Sequence, residues 1–246
     1  GLLEEVLGTD SVDAIVMGFD GVVSMDVSVA TDEAGIPIAD GWVDLQGLTV
    51  DELLNNVDLR MDVALRDRTA MAEVSVRDGD AVLVWSKATA DVDRSSGEMA
   101  LDCKGSLRWR SMLPGVRFRE LRRPFPFLGR DINGRTSLDL IVDGPACNPD
   151  LTMVGAIDLP IGVNGERVRF DASVVKEGDR TILDMTSEQE GRQLARLGAS
   201  LTTDVAPVVA AALEGRELTN PDTWVTAVDA TLEILDADVA RLARMG

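Results

Sequence analysis

The sequence contains neither histidine nor tyrosine, and only three of its basic residues, Lys87, Lys104 and Lys176, are lysines. Without histidine, the Ser-His-Asp and Cys-His forms of nucleophilic catalysis are excluded and the commonest metal ligand is missing. Carboxylate and lysine chemistry stay formally open. Aromatic residues make up only 4 % of the chain, so any core rests on Val, Leu, Ile, Ala and Met. No stretch approaches the roughly 18 uninterrupted apolar residues of a membrane-spanning helix. The first residues, GLLEEVLG, lack the basic n-region of a signal peptide. A targeting segment of an exported or anchored parent protein is therefore expected outside this chain. Catalytic signatures are missing too: there is no GxSxG, no P-loop, no GxGxxG after a strand and no HExxH. A non-catalytic protein without cofactor or metal is the expectation.

What is present is apolar and acidic. Apolar residues are 45 % of the 246, enough for one large β domain or two smaller units. Asp and Glu outnumber Lys and Arg 43 to 24, for a net charge of −19. Such a surface repels nucleic-acid phosphates and anionic lipid headgroups over most of its area, so no nucleic-acid partner is expected; solubility is the simplest account of the acidity. Cys103 falls on the apolar side of an alternating run, and Cys147 lies in the loop Gly144-Pro-Ala-Cys-Asn-Pro149. Their spacing is compatible with a disulfide in an oxidising compartment and equally with two free thiols.

The dominant pattern has period two. Leu59, Met61, Val63 and Leu65 interleave with Asp58, Arg60, Asp62, Ala64 and Arg66. The same alternation carries Met25, Val27 and Val29, then Leu138, Leu140 and Val142, then Val168, Phe170, Ala172 and Val174. Each run gives a strand one apolar and one polar face, as in antiparallel sheet solvated on one side. Asp20-Gly21, Asp78-Gly79, Ser96-Gly97, Asn133-Gly134, Asp143-Gly144 and Asn164-Gly165 punctuate the runs and favour tight hairpin turns. The class is mainly β.

A repeat accompanies the alternation. Asp20-Gly21-Val-Val-Ser24-Met-Asp26-Val-Ser-Val29 aligns with Asn133-Gly134-Arg-Thr-Ser137-Leu-Asp139-Leu-Ile-Val142. Val57 to Val63 aligns with Val168 to Val174, Asp67-Arg68-Thr69 with Asp179-Arg180-Thr181, and Gly79 with Gly191. The chain thus divides into two β-rich units, 1–128 and 129–246. Helices are few: an amphipathic stripe of Val205, Val208, Val209, Ala212 and Leu213 marks 204–214. Shorter ones are expected at 49–55, where Thr49 and Glu52 have capping-box spacing, and at 236–245.

Between the units runs LPGVRFRELRRPFPFLGR, residues 113–130, the one basic and aromatic stretch of the chain. Pro124 and Pro126 oppose regular helix there. Stacking on single-stranded nucleic acid and contact with lipid phosphates are conceivable roles. A linker pinned by Arg–carboxylate pairs fits the acidic surroundings better. Acid pairs such as Asp91 with Asp93, or Asp236 with Asp238, are expected by chance among 43 acids. Asp131-Ile-Asn133-Gly134 lacks the downstream ligands of a calcium loop and reads as a turn.

The phrase Gly-Arg-Asp-Ile-Asn-Gly-Arg-Thr-Ser-Leu-Asp-Leu-Ile-Val-Asp-Gly at 129–144, with Pro149 and Gly155-Ala-Ile-Asp-Leu159, resembles the repeating unit of the translocation and assembly module TamB family. That family belongs to the wider AsmA-like group of diderm bacteria. A weaker copy lies at 18–45, where the Val29 strand lacks the following Gly. The resemblance implies an elongated, curved antiparallel sheet forming a taco-like groove with an apolar lining, here built from two tandem repeats with a few short helices. It also implies a periplasmic location, within a protein anchored in the inner membrane. The implied partners are phospholipid acyl chains and an outer-membrane assembly protein of the parent system. The implied role is phospholipid transport to the outer membrane, or protein assembly in it. On that basis Leu59, Met61, Val63, Leu65, Leu138, Leu140, Val142, Phe170 and Val174 line the groove or its packed core. A structural or adhesive β-repeat stalk that binds no lipid would show the same alternation, because a dry core also needs apolar side chains.

Overall fold

The computed structural model describes residues 19–31, 37–50, 54–93, 100–125, 133–160, 166–203 and 225–235. Strands dominate them. In the first unit they are β1 (Phe19–Thr31), β2 (Pro37–Val50), β3 (Leu54–Arg66), β4 (Thr69–Asp78), β5 (Ala81–Asp93), the two-residue β6 (Ala100–Leu101) and β7 (Ser106–Arg117). One helical turn, α1 (Phe118–Leu121), follows. The second unit adds β8 (Arg135–Pro145), β9 (Asp150–Pro160), β10 (Arg167–Glu177), β11 (Arg180–Gln189), β12 (Arg192–Thr203) and β13 (Val225–Ile234).

All but β6 lie along one sheet in chain order, each antiparallel to the next; β6 pairs only with β5. At about 4.8 Å per strand the sheet is roughly 50 Å across. It is open: among the described residues, no strand pairs with the outer edge of β1 or of β13. The boundary between the units does not interrupt it, because β7 pairs with β8 from Ser106↔Pro145 to Arg117↔Arg135. A twisted sheet this wide curls, and bulges such as Pro114-Gly115 in β7 bend it further.

The units share more than strand order. The Val92 N–H donates to Arg68 O, and the Thr203 N–H to Asp179 O, both at 2.7 Å; Arg68 and Asp179 each take the second position of their turn, one residue off the Arg68–Arg180 match of the sequence. Gly21 and Gly134 both adopt positive φ, +147° and +138°. Of the described turn dipeptides, only Asp78-Gly79 reaches a two-residue hairpin turn, with Gly79 in its first position. Asp20-Gly21 and Asp143-Gly144 instead lie inside β1 and β8, and Asn133-Gly134 just precedes β8. In the β11–β12 turn Gly191 takes the second position, so Glu190 is the spatial counterpart of Gly79.

The expected helix at 49–55 does not form. Val50 pairs with Leu54, leaving only a short connection, and the Thr49 hydroxyl accepts the Asn56 N–H at 3.1 Å. Pairing of two long strands outweighs a local capping pattern. The stretch after β7 forms α1, where the Glu120 carboxylate accepts the Arg117 N–H at 3.1 Å. Its Arg-rich part is tied to neighbours: Arg123 faces Asp78 at 3.5 Å and Arg122 donates to Asn133 Oδ1 at 3.1 Å. Asn133 thus serves a guanidinium. The expected helices 204–214 and 236–245 lie outside the described residues.

At the opposite end of the strands, Cys103 and Cys147 form a disulfide, with Cα atoms 4.7 Å apart. The two loops it joins also pair through their backbones, Ala146 N to Gly105 O and Cys147 N to Cys103 O. The cross-link therefore bridges the seam between the units, one loop preceding β7 and the other following β8.

Candidate functional site: the uncovered apolar face

Register converts the period-two pattern into two faces. One unbroken row of neighbours runs Met25, Val43, Met61, Val74, Ser86, Ser111, Leu140, Met153, Val174, Leu183, Ala199, Ala230. The adjacent row on the other face starts Asp26, Trp42, Asp62, Glu73, Lys87, Arg110. One face is thus mostly apolar, interrupted by Ser86 and Ser111; the other carries charge in the first unit and continues from Arg110 through Ile141, Thr152, Val175, Ile182 and Ser200 to Asp229.

The nine residues singled out in the sequence all fall on the apolar face. Leu140 and Val174 are drawn near each other through Met153, the strand between them. Leu59, Met61, Val63 and Leu65 on β3 are four strands from β8, or about 19 Å, so the two groups are points on one surface and not a cluster. Alternation did not point to β5, whose row on this face is Val84, Ser86, Ala88 and Ala90. Small and hydroxylic side chains there disguise the face, while Trp85 lies on the opposite side. Trp109 also belongs to the apolar face, 39 % exposed, with its indole N–H donated to Ser86 Oγ at 2.8 Å.

Burial on this face is inverted relative to a two-layer domain, where mid-strand side chains are the most enclosed. The buried apolar residues sit toward strand ends or in the adjoining loops. At one end are Leu48, Val57, Leu83, Val116, Leu121 and Val168, and at the other Leu65, Val92, Val142 and Ala146. At the first end α1 folds over the sheet: Leu83, Val116 and Leu121 pack together with Val76, Leu113, Phe118 and Phe125 around them. Pro124, fully buried, receives the Asn55 N–H on its carbonyl at 3.0 Å. Between the two ends Met61, Val63, Leu140, Phe170 and Val174 stay half-buried, and no second layer covers them among the described residues. Toward the edges exposure rises, to 59 % at Val27 and 64 % at Leu232.

The polar face is laced by ion pairs along and across strands: Arg60–Asp62 at 2.9 Å, Lys87–Glu73 at 2.9 Å, Arg110–Asp139 at 2.9 Å and Arg167–Asp158 at 2.7 Å. Asp91, of the acid pair Asp91 and Asp93, accepts the Ser106 N–H at 2.8 Å and so secures a loop. Among the described residues, no group of three or more His, Cys, Asp or Glu is placed to hold a metal ion, and no helix is long and apolar enough to cross a membrane.

These pairs give stability a defined pH dependence. The Trp85 indole N–H, then Lys87, hold the Glu73 carboxyl below the usual carboxylate range; a hydrogen bond from Arg60 does the same for Asp62. A carboxyl whose folded pKa is depressed stabilises the fold above its unfolded pKa and loses that contribution as pH falls through the folded pKa. With no histidine, calorimetric Tm should stay flat from about pH 8 to 6 and decline below about pH 4. The decline should be shallower in Glu73→Gln. A Tm already falling near pH 6 would contradict this. Both carboxylates are a third or more exposed, so solvent screening keeps the contribution of each pair small.

No protein-family model matches the chain, and neither a curated protein nor a solved structure is significantly similar to it.

Proposed function

We propose that this chain is a non-catalytic segment of a bridge protein of the TamB/AsmA-like kind, whose apolar face holds phospholipid acyl chains in transit through the periplasm to the outer membrane. Supporting protein assembly in that membrane would use the same surface. One observation carries the proposal: the mostly apolar row crosses every strand of the main sheet, yet among the described residues nothing covers its mid-strand side chains. Covering such a face gains about 0.8 kcal/mol per CH₂ removed from water, and a linear acyl chain matches a long, featureless strip. Among the described residues, the ion-paired stretches of the opposite face and the strand-end caps leave that strip as the surface in need of a ligand. A disulfide across the seam suits an oxidising compartment such as the periplasm.

The chain, produced with its disulfide and extracted without detergent, should carry phospholipid detectable by mass spectrometry. Leu140→Asp, which places a carboxylate in the middle of the row, should reduce that lipid about ten-fold or more. Trp109 reports on the same face, so adding a short-chain phospholipid should blue-shift the fluorescence, and Trp109→Phe should remove that shift. Lipid-free protein with unshifted fluorescence would exclude the conduit and favour the lipid-independent β-repeat stalk.

A further inference from the structure

We infer that the two outer sheet edges, which have no partner strand among the described residues, form a head-to-tail interface, in which β13 of one copy of this chain pairs with β1 of a second copy in one defined register. The template is inside the molecule. At the seam, the last strand of the first unit, β7, pairs with the first strand of the second, β8. β13 occupies the place of β7, since Ala90↔Leu107 in the first unit corresponds to Leu201↔Val228 in the second. β1 occupies the place of β8, Gly21 matching Gly134 and Val29 matching Val142. Along the alternating path β13 runs opposite to β1, so a strand of the second copy docks antiparallel, as β8 does on β7.

Carrying the seam register across is a sharp constraint. Leu107↔Gly144, Trp109↔Val142, Ser111↔Leu140 and Leu113↔Leu138 become Val228↔Thr31, Ala230↔Val29, Leu232↔Val27 and Ile234↔Met25. This register continues the apolar face of one copy into that of the next. It also covers side chains that are now exposed: Val27 is 59 %, Val29 73 %, Leu232 64 % and Ile234 61 % exposed. On the polar face it sets Thr231 against Ser28, Asp229 against Ala30 and Glu233 against Asp26. The last is the single like-charge opposition along this stretch. Neither β1 nor β13 carries a lysine, arginine or internal proline to blunt pairing at an exposed edge. The contact is heterologous, so it propagates and does not close on a two-fold axis. It requires only strand order and register, and stands or falls independently of any lipid.

Sedimentation velocity on the full chain with its disulfide intact tests it. Salt of about 0.5 M would screen the net charge to a Debye length of about 4 Å. The weight-average mass should rise with concentration past that of a dimer. Asp26→Lys or Glu233→Lys alone turns the like-charge opposition into an attraction, and each should tighten association about three- to ten-fold. The double variant D26K/E233K restores like charges and should return affinity toward the original, whereas D26K/D229K should keep its gain because Asp229 faces Ala30. All three positions are exposed on edge strands; Glu233 also faces Arg196 of its own chain, so Asp26→Lys is the cleaner of the single variants. A monomer at every concentration, a fixed dimer indifferent to Asp26 and Glu233, or a D26K/E233K variant that keeps the gain would each overturn the inference.

Discussion

Removing the Cys103–Cys147 cross-link, with the paired substitutions C103S/C147S or a reductant, is expected to lower the unfolding free energy by about 2–4 kcal/mol. A cross-link spanning 44 residues restricts the unfolded chain by about 4 kcal/mol at 25 °C in the chain-entropy account. The cysteines contribute little else, since Cys103 is exposed and Cys147 only half-buried. The location gives the loss a spatial signature. The disulfide clamps one end of the β7–β8 ladder, the single seam joining the two six-stranded halves of the main sheet. Urea denaturation should show a lower midpoint, and hydrogen exchange should show β7 and β8 deprotected before β3 or β10. A loss under about 1 kcal/mol would mean that the seam holds without its clamp, even in the denatured ensemble.

Gly134→Ala is expected to be the most damaging small substitution, at about 3 kcal/mol or more, while Gly21→Ala at the equivalent place should cost about 1–2 kcal/mol. Both glycines adopt positive φ, where a side chain is strained. Space separates them. A Cβ on Gly134 would stand 1.9 Å from the Asp158 carbonyl oxygen of β9, so the neighbouring backbone has to shift. A Cβ on Gly21 would meet the Gln46 carbonyl oxygen at 3.0 Å, a tight contact that a small adjustment relieves. Gly134 also offers its carbonyl to the Phe118 N–H at the start of α1, so a displaced β8 would disturb the strand-end cluster too. Thermal unfolding of the two variants measures the asymmetry. Equal losses would show that φ alone sets the cost.

Much of the fold was legible because β3, β8 and β10 carry large apolar side chains at strict alternation, and because Gly21 and Gly134 anchor matching phrases. The limits are equally physical. On β5 the apolar face carries Ser86, Ala88 and Ala90, so its period is muted, and pairing with β4 and β7 holds it in place. Thr49 and Glu52 have the local chemistry of a helix start, but Val50↔Leu54 pairing leaves no room for one. The disulfide depends on the register of two strands that the cysteines flank from outside, which spacing along the chain does not specify. An uncovered face and a dry core share one alternation. They differ in which residues are fully enclosed, and that is decided by α1 and the loops near Ala146 folding over strand ends.

Because strand order follows chain order, every ladder joins segments that are consecutive along the path. The most distant partners are Ser106 with Pro145 and Ala195 with Ile234. No strand waits for a partner made much later, as the first strand of a Greek key does. A chain delivered N-terminus first, from a ribosome or through a pore, would find a finished edge ready for each new strand. Pairing would then resist backsliding at every step, so folding itself becomes a ratchet, locked midway when Cys147 emerges to meet Cys103.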